Sequence, residues 1–157
     1  MLKNSHHQVT VFTLRELDLK YCIGCFGCWV KTPGLCVISD ESSLVCRAYI
    51  NSDLVIFASP IIMGFTSALL KKVHDKLLPL LHPYLDIVQN EFHHAARYDR
   101  YPSFGLLLKK GKDTDDEDLE IISAIYRRNA INLRTSLLFV KLMEDSPERI
   151  VYEINSL

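Results

Sequence analysis

The sequence predicts an α/β protein, a three-layer open parallel sheet with helices on both faces. Three observations point there. Short apolar runs alternate with helix-period segments along the 157 residues. The run "LVIFA" at 54–58 is continuously apolar, the mark of a strand buried on both faces. No internal repeat or low-complexity linker divides the chain, so 1–157 is read as a single domain, large enough for its own core.

The elements follow in order. "HQVTVFTL" at 7–14 alternates apolar and polar residues and is rich in β-branched ones, a strand. Gly24, Gly27, Pro33 and Gly34 make 15–40 a loop. "DESSLVCRAYI" puts Leu44, Val45 and Ala48 on one helical face, with Asp40 or Ser42 as cap. The strand at 54–58 comes next, and Pro60 and Gly64 mark the loop after it. "SALLKKVHDKLLPLL" is an amphipathic helix with Leu69, Leu70, Val73 and Leu77 inward and His74 and Asp75 at the surface; Pro79 ends or kinks it. The stretch 82–102 loses both periodicities and is expected as a long loop, with room for a short element at 85–88. "SFGLLLKKG" is a strand, and a Thr114/Glu117 capping box opens a helix. "TSLLFVKLM" is another strand and "RIVYEI" a short terminal one.

Composition narrows the function. A net charge of −1 gives no general electrostatic case for nucleic acid. The apolar runs are too short and broken to cross a membrane, and the start lacks a signal-peptide layout, so a cytoplasmic address is expected. In that compartment clustered thiols are metal ligands or redox groups more often than disulfides.

Four of the five cysteines fall in "YCIGCFGCWVKTPGLC". Cys22, Cys25, Cys28 and Cys36 form C-x2-C-x2-C-x7-C. Zinc sites usually take two cysteine pairs from separate places. Three cysteines at successive intervals of three are closer to the run that wraps a [4Fe–4S] cluster, and Gly24 and Gly27 permit the tight turns it needs. The alternatives are a zinc site or reduced thiols that pack a loop. Cys46 stands apart as a small buried hydrophobe. In "SPIIMGFTS", Pro60 stiffens the chain, Gly64 lets a ring approach the backbone, and Thr66 or Ser67 can cap the next helix. A plain strand-to-helix turn would look the same. Ligands of open parallel sheets sit outside the carboxyl ends of the strands, so this segment and the cysteines are expected at one edge. "FHHAARYDRY" is either a phosphate clamp for a nicotinamide cofactor, through Arg97 and Arg100, or a solvated loop.

From "YCIGCFGCWVKTPGLCVISD" through "SDLVIFASPIIMGFTSALLKKVHDKLLPLL", the chain resembles the NADPH-dependent FMN reductase family, particularly its iron–sulfur flavoprotein branch. That resemblance implies a flavodoxin-like fold, FMN at the sheet edge, NAD(P)H as donor and a [4Fe–4S] cluster. By position, Cys22, Cys25, Cys28 and Cys36 correspond to the cluster motif, and Ser59, Pro60, Ile61, Met63 and Gly64 to the loop beside the flavin; no catalytic side chain is assigned. The family's first strand, Ser-rich phosphate loop and helix have no counterpart here, so FMN binding is expected to be weak or absent. Two function classes follow. One is a flavin-dependent NAD(P)H oxidoreductase or electron-transfer protein. The other is a cofactor-poor flavodoxin-like binding or assembly module; a misassigned start is a third explanation. A sheet lacking its first strand also predicts a homo-oligomer, joined through the 67–78 helix or the 7–14 edge, besides any redox partner.

Overall fold

A computed structural model describes residues 7–156. Six strands and five helices occur among them: α1 (Gly27–Val30), α2 (Ser42–Ile50), β1 (Leu54–Ile62), β2 (Phe65–Thr66), α3 (Ala68–Lys76), β3 (Leu81–Val88), β4 (Glu91–Ala96), β5 (Ser103–Lys109), α4 (Asp116–Asn132), β6 (Leu137–Leu142) and α5 (Pro147–Asn155).

The main sheet has the order β2-β1-β5-β6. β1 pairs with β5 in parallel from Leu54↔Ser103 to Pro60↔Lys109, and β5 pairs with β6 in parallel. β2 is a two-residue antiparallel return onto the end of β1. This is an open, mostly parallel sheet of the flavodoxin-like kind. β5 is central and nearly all apolar, with Phe104, Gly105, Leu106 and Leu108 buried.

Rings show which helices cover which face. Phe57 of β1 lies near Tyr49 of α2, His74 of α3 and Tyr126 of α4, and Tyr126 also meets Phe104 of β5 edge-on. Three helices therefore share the face that carries Phe57 and Phe104. Leu106, Leu108, Ile122, Leu70, Val73 and Leu77 complete that core. Side chains alternate across a strand, and in β1 the residues between, Ala58, Pro60 and Ile62, are exposed.

Four local readings are corrected. Residues 7–13 form no strand, and a 3₁₀ turn (Leu14–Glu16) packs beside α3 instead. Within that stretch Leu14 packs against the core while Val11 stays exposed. Among the described residues, then, no strand pairs with the outer side of 54–60. The expected loop at 82–102 contains the antiparallel pair β3–β4, closed by Gln89 and Asn90, both at positive φ. Asn tolerates this conformation, and two such residues make the hairpin turn whose twist matches its strands. "RIVYEI" lies within α5; Pro147 at the first helical position fits a helix start, and the β-branched residues only mimicked a strand. The capping box of α4 is Asp115 with Asp118, one residue beyond Thr114/Glu117. Thr114 instead accepts a hydrogen bond from the Gly111 backbone.

Two helix faces also shift. Leu69 and Leu44 are exposed, whereas Leu70, Val73 and Leu77 of α3 and Cys46 and Tyr49 of α2 are buried. His74 is not a surface residue. Its ring lies between Phe57 and Tyr126, and its buried Nε2 has no hydrogen-bond partner among the described residues.

Candidate functional site

The cysteine segment is built by short-range geometry. Its incoming segment is tied to the start of α2, where the Lys20 amide donates to Asp40 at 2.9 Å and the Asp18 amide to Glu41 at 2.6 Å. Gly24 (φ 64°) and Phe26 (φ 55°) then turn the chain through the left-handed region. Gly27 opens α1, and a Cβ there would sit 2.6 Å from Val37, so the close approach of the returning chain requires glycine. Trp29 fixes α1 in place: its indole N–H donates to the Leu81 carbonyl at 2.9 Å, and its ring packs on Phe26 and His94.

This arrangement buries Cys28, half-buries Cys36 and leaves Cys22 and Cys25 exposed. Burial raises the Cys28 pKa, and the Cys36, Cys22 and Cys25 sulfurs add to it, so the other three thiols lie within electrostatic reach of Cys28. They are not gathered into a ligand set: among the described residues, no three His, Cys, Asp or Glu side chains stand close enough to share a metal ion. The donor chemistry of the segment fits a cluster; its described geometry does not preform one.

Beside these thiols is a group that sequence reasoning missed. The Lys76 side chain is 2% exposed and its Asp40 partner 0%, with 2.9 Å between them. The same ammonium donates to the Cys36 sulfur at 3.3 Å. The Cys46 thiol donates to the Lys76 carbonyl at 3.2 Å. Burial alone would lower the Lys76 pKa, but the bonds to Asp40 and Cys36 outweigh it and raise it. For Asp40, burial works upward, yet hydrogen bonds from Ser42, Lys76 and the Lys20 backbone win and hold it at about 2. Cys46 behaves as a buried hydrophobe, with burial pushing its thiol up to about 12. A sequence signal for Lys76 existed: positions 70, 73 and 76 form one i, i+3 row on α3, and two of them are core residues.

The second predicted segment is placed elsewhere. Ser59 is buried; its hydroxyl donates to the Pro60 carbonyl and accepts from the Ser67 amide, tying β1 to the start of α3. Ile61 is in the core. Pro60 and Met63 are exposed, and Met63 (φ 50°) with Gly64 (φ 72°) forms the tight turn between β1 and β2. A Cβ on Gly64 would meet the Asp118 carboxylate at 2.6 Å. Ser59 thus meets the first turn of α3 and Cys36 its last residue, about 13 Å apart along the helix axis. The expectation of one shared edge is not met at Cys36, which lies at the far end of α3 from Ser59.

Among the described residues, the helix N-termini near Ser59–Gly64 are already capped. The α4 N-terminus nearby is capped by Asp115 and carries Asp116, Glu117 and Asp118, which repel an anion. The α3 N-terminus is capped by Ser67. The arginines of 91–101 serve the fold: Arg97 donates to the carbonyls of Pro79 and Leu81, and Arg100 pairs with Asp53.

No protein-family model matches the chain. It is 35% identical over 81 residues to an iron–sulfur flavoprotein of Archaeoglobus fulgidus, covering 52% of this chain and 36% of that protein. It is 35% identical over 68 residues to an iron–sulfur flavoprotein of Methanocaldococcus jannaschii, covering 43% of this chain and 34% of that one. The matched stretch thus spans about a third of the length of these curated relatives. Both likenesses are to proteins named iron–sulfur flavoproteins, and the open parallel sheet described above is of the flavodoxin-like kind.

Proposed function

We propose that the chain is an electron-transfer protein whose cysteine segment holds a [4Fe–4S] cluster through Cys22, Cys25, Cys28 and Cys36. The observation that carries this reading is the buried Lys76 ammonium on the Cys36 sulfur. A thiolate-bound cluster is anionic, and hydrogen bonds to its sulfurs help set its potential. Lys76 would offset that charge, Asp40 would keep Lys76 in place, and Trp29 would hold α1 and with it Cys28. Exposed Cys22 and Cys25 would be drawn onto Cys28 and Cys36 as metal arrives. The cluster would supply one-electron storage. The two relatives named as iron–sulfur flavoproteins support the reading.

FMN and NAD(P)H belong to the proposal in a weaker form. The acidic start of α4 and the engaged Ser59 hydroxyl do not favour a flavin phosphate near 59–64. FMN binding by these residues is therefore proposed as weak or absent, and no electron step is routed through it. A cytoplasmic address, where thiols stay reduced, goes with the reading. None of the described helices is long and apolar enough to cross a membrane. The second reading, a cofactor-poor binding module, is favoured by the thiols not being gathered as placed.

Anaerobic reconstitution with ferrous iron and sulfide decides between them. The cluster reading expects a full [4Fe–4S] complement of iron and acid-labile sulfide per chain, lost in Cys28→Ser and Cys36→Ser and kept in Cys46→Ala. Equal iron in all of these proteins, or none in any, would overturn it.

A further inference from the structure

The contact between Lys76 and Cys36 carries a chemistry that electron transfer does not use. The Lys76 ammonium lies 3.3 Å from the Cys36 sulfur, across 40 residues of chain. The nitrogen is fixed from both sides. Lys76 belongs to the inward row of α3, and its side chain is sealed from solvent. Asp40, fully buried, holds the ammonium at 2.9 Å and is itself held by the Ser42 amide at 3.0 Å and the Lys20 amide at 2.9 Å. The sulfur is fixed as well: Cys36 leaves a turn closed by the Gly34 amide on the Cys28 carbonyl at 3.0 Å. Two groups held this way meet without first losing freedom.

Their exposures differ in a way that suits oxidation. Lys76 is closed off, whereas Cys36 is only half-buried and open to a small oxidant. Thiols react with oxidants in partly exposed, electropositive surroundings, and the Lys76 ammonium supplies those surroundings. The ammonium is also the group placed to trap an oxidised Cys36 sulfur. A direct nitrogen–sulfur bond would have to draw the two atoms far inside their present contact. One oxygen atom set between them nearly spans the gap as it stands.

We propose that Lys76 and Cys36 form a modification site, at which dioxygen joins Nζ to Sγ through a single oxygen atom. One atom of O2 bonds to both Nζ and Sγ. The O–O bond, the S–H bond and two ammonium N–H bonds break, and the ammonium's third surplus proton is accounted for as follows. Of the four hydrogens on the ammonium and the thiol, one stays on nitrogen, two leave with the second oxygen as water, and one goes to solvent as a proton. Nitrogen and sulfur each give up two electrons, and those four electrons reduce O2. A dithiol returns them and restores amine, thiol and water. While the bridge stands, Cys36 has no thiol to offer a metal, so bridge and metal binding at Cys36 exclude each other. The sulfur is also kept from the irreversible sulfinic and sulfonic states. The inference concerns the iron-free chain and does not depend on whether the cysteines ever hold iron.

The test is mass spectrometry of the full iron-free chain, purified without oxygen in a chelator and then held in air-saturated buffer. Wild type and Cys46→Ala are expected to gain about 14 Da in most chains, one oxygen gained and two hydrogens lost, and to lose that gain in dithiothreitol. After trypsin the gain is expected on two linked peptides, the 32–47 peptide that contains Cys36 and a peptide left uncleaved at Lys76. Cys36→Ser and the charge-balanced pair Lys76→Met with Asp40→Asn are expected to show no such gain. The wild-type digest decides by itself if either variant fails to fold. Whole oxygens added to Cys36 with Lys76 cleaved normally would overturn the inference. So would a disulfide from Cys36 to another cysteine, a chain left unchanged by air, or a 14 Da gain that survives the loss of Lys76.

Discussion

Lys76 occupies a position where the inward row of α3 calls for an apolar side chain, and Asp40 makes that tolerable. Removing one member of a buried pair leaves the other uncompensated, at a cost of about 3 kcal/mol. Lys76→Met is therefore expected to lower the urea midpoint clearly, and Lys76→Met with Asp40→Asn to recover much of the loss; equal midpoints for the single and double variants would refute the coupling. The Asp40 carboxyl has a folded pKa of about 2 against an ordinary 3.8, so its contribution is present above about 4 and lost as pH falls through about 2. His74 works in a higher window. Burial lowers its pKa from 6.5 to about 4, with Lys71 adding to the shift and Asp75 opposing it. The folded state holds it neutral, while the unfolded chain takes up a proton below 6.5, so stability falls from about pH 6.5 down to about pH 4. The loss is on the order of 3 kcal/mol. In His74→Phe that slope between pH 6.5 and 4 should vanish from urea titrations, whatever the variant's absolute stability. His74 was not legible in the sequence, because a His on a helix reads as solvent-facing until its neighbours are known; for Lys76 the only signal was its place in the 70–73–76 row of α3.

At the scale of elements, periodicity was informative where one face alone is buried and misleading where it is not. β1, β5 and β6 were legible from their apolar runs, α3 from its Leu70–Val73–Leu77 row, and Cys46 from its isolation. The hairpin was hidden because its alternation is short and interrupted: Leu85-Asp86-Ile87 and Glu91-Phe92-His93 alternate, but Val88 on the charged side and His94 on the apolar side break the pattern. Its turn signal, Gln89-Asn90, lacks the glycine that usually announces such a turn. The cysteine segment was legible as a unit; its docking on Leu81 through Trp29, and its distance from Ser59, depend on tertiary contacts that spacing does not encode. Gly105 illustrates a packing demand of one strand on the next. A Cβ there would lie 2.2 Å from the Phe139 ring of β6. Gly105→Ala is expected to cost roughly 1–3 kcal/mol by overpacking, and Gly105→Ala with Phe139→Leu less than that, as measured by urea unfolding.

For the whole molecule, the parallel sheet and the hairpin belong to different classes of contact. Pairing β1 with β5 closes some fifty residues of chain (Leu54 against Ser103), and β6 is added only after α4 has crossed over. Pairing β3 with β4 needs only the turn at Gln89 and Asn90. Loop closure is slower and entropically costlier for the first kind, whereas an isolated hairpin forms in roughly 1–10 μs. The hairpin should therefore gain amide protection early in refolding, ahead of β1 and β5, and pulsed hydrogen exchange would show the order; simultaneous protection of all three would contradict it. A consequence follows for the newly made chain. On a ribosome the hairpin is complete once residue 96 has emerged, while the partners of its charged face, Arg128 and Arg134, have not yet emerged. For a few seconds, at typical elongation rates of about 5–20 residues per second, Leu85, Ile87 and Phe92 stand on a nascent chain with no α4 beneath them, as an early point of capture for a chaperone or for a neighbouring chain on the same message.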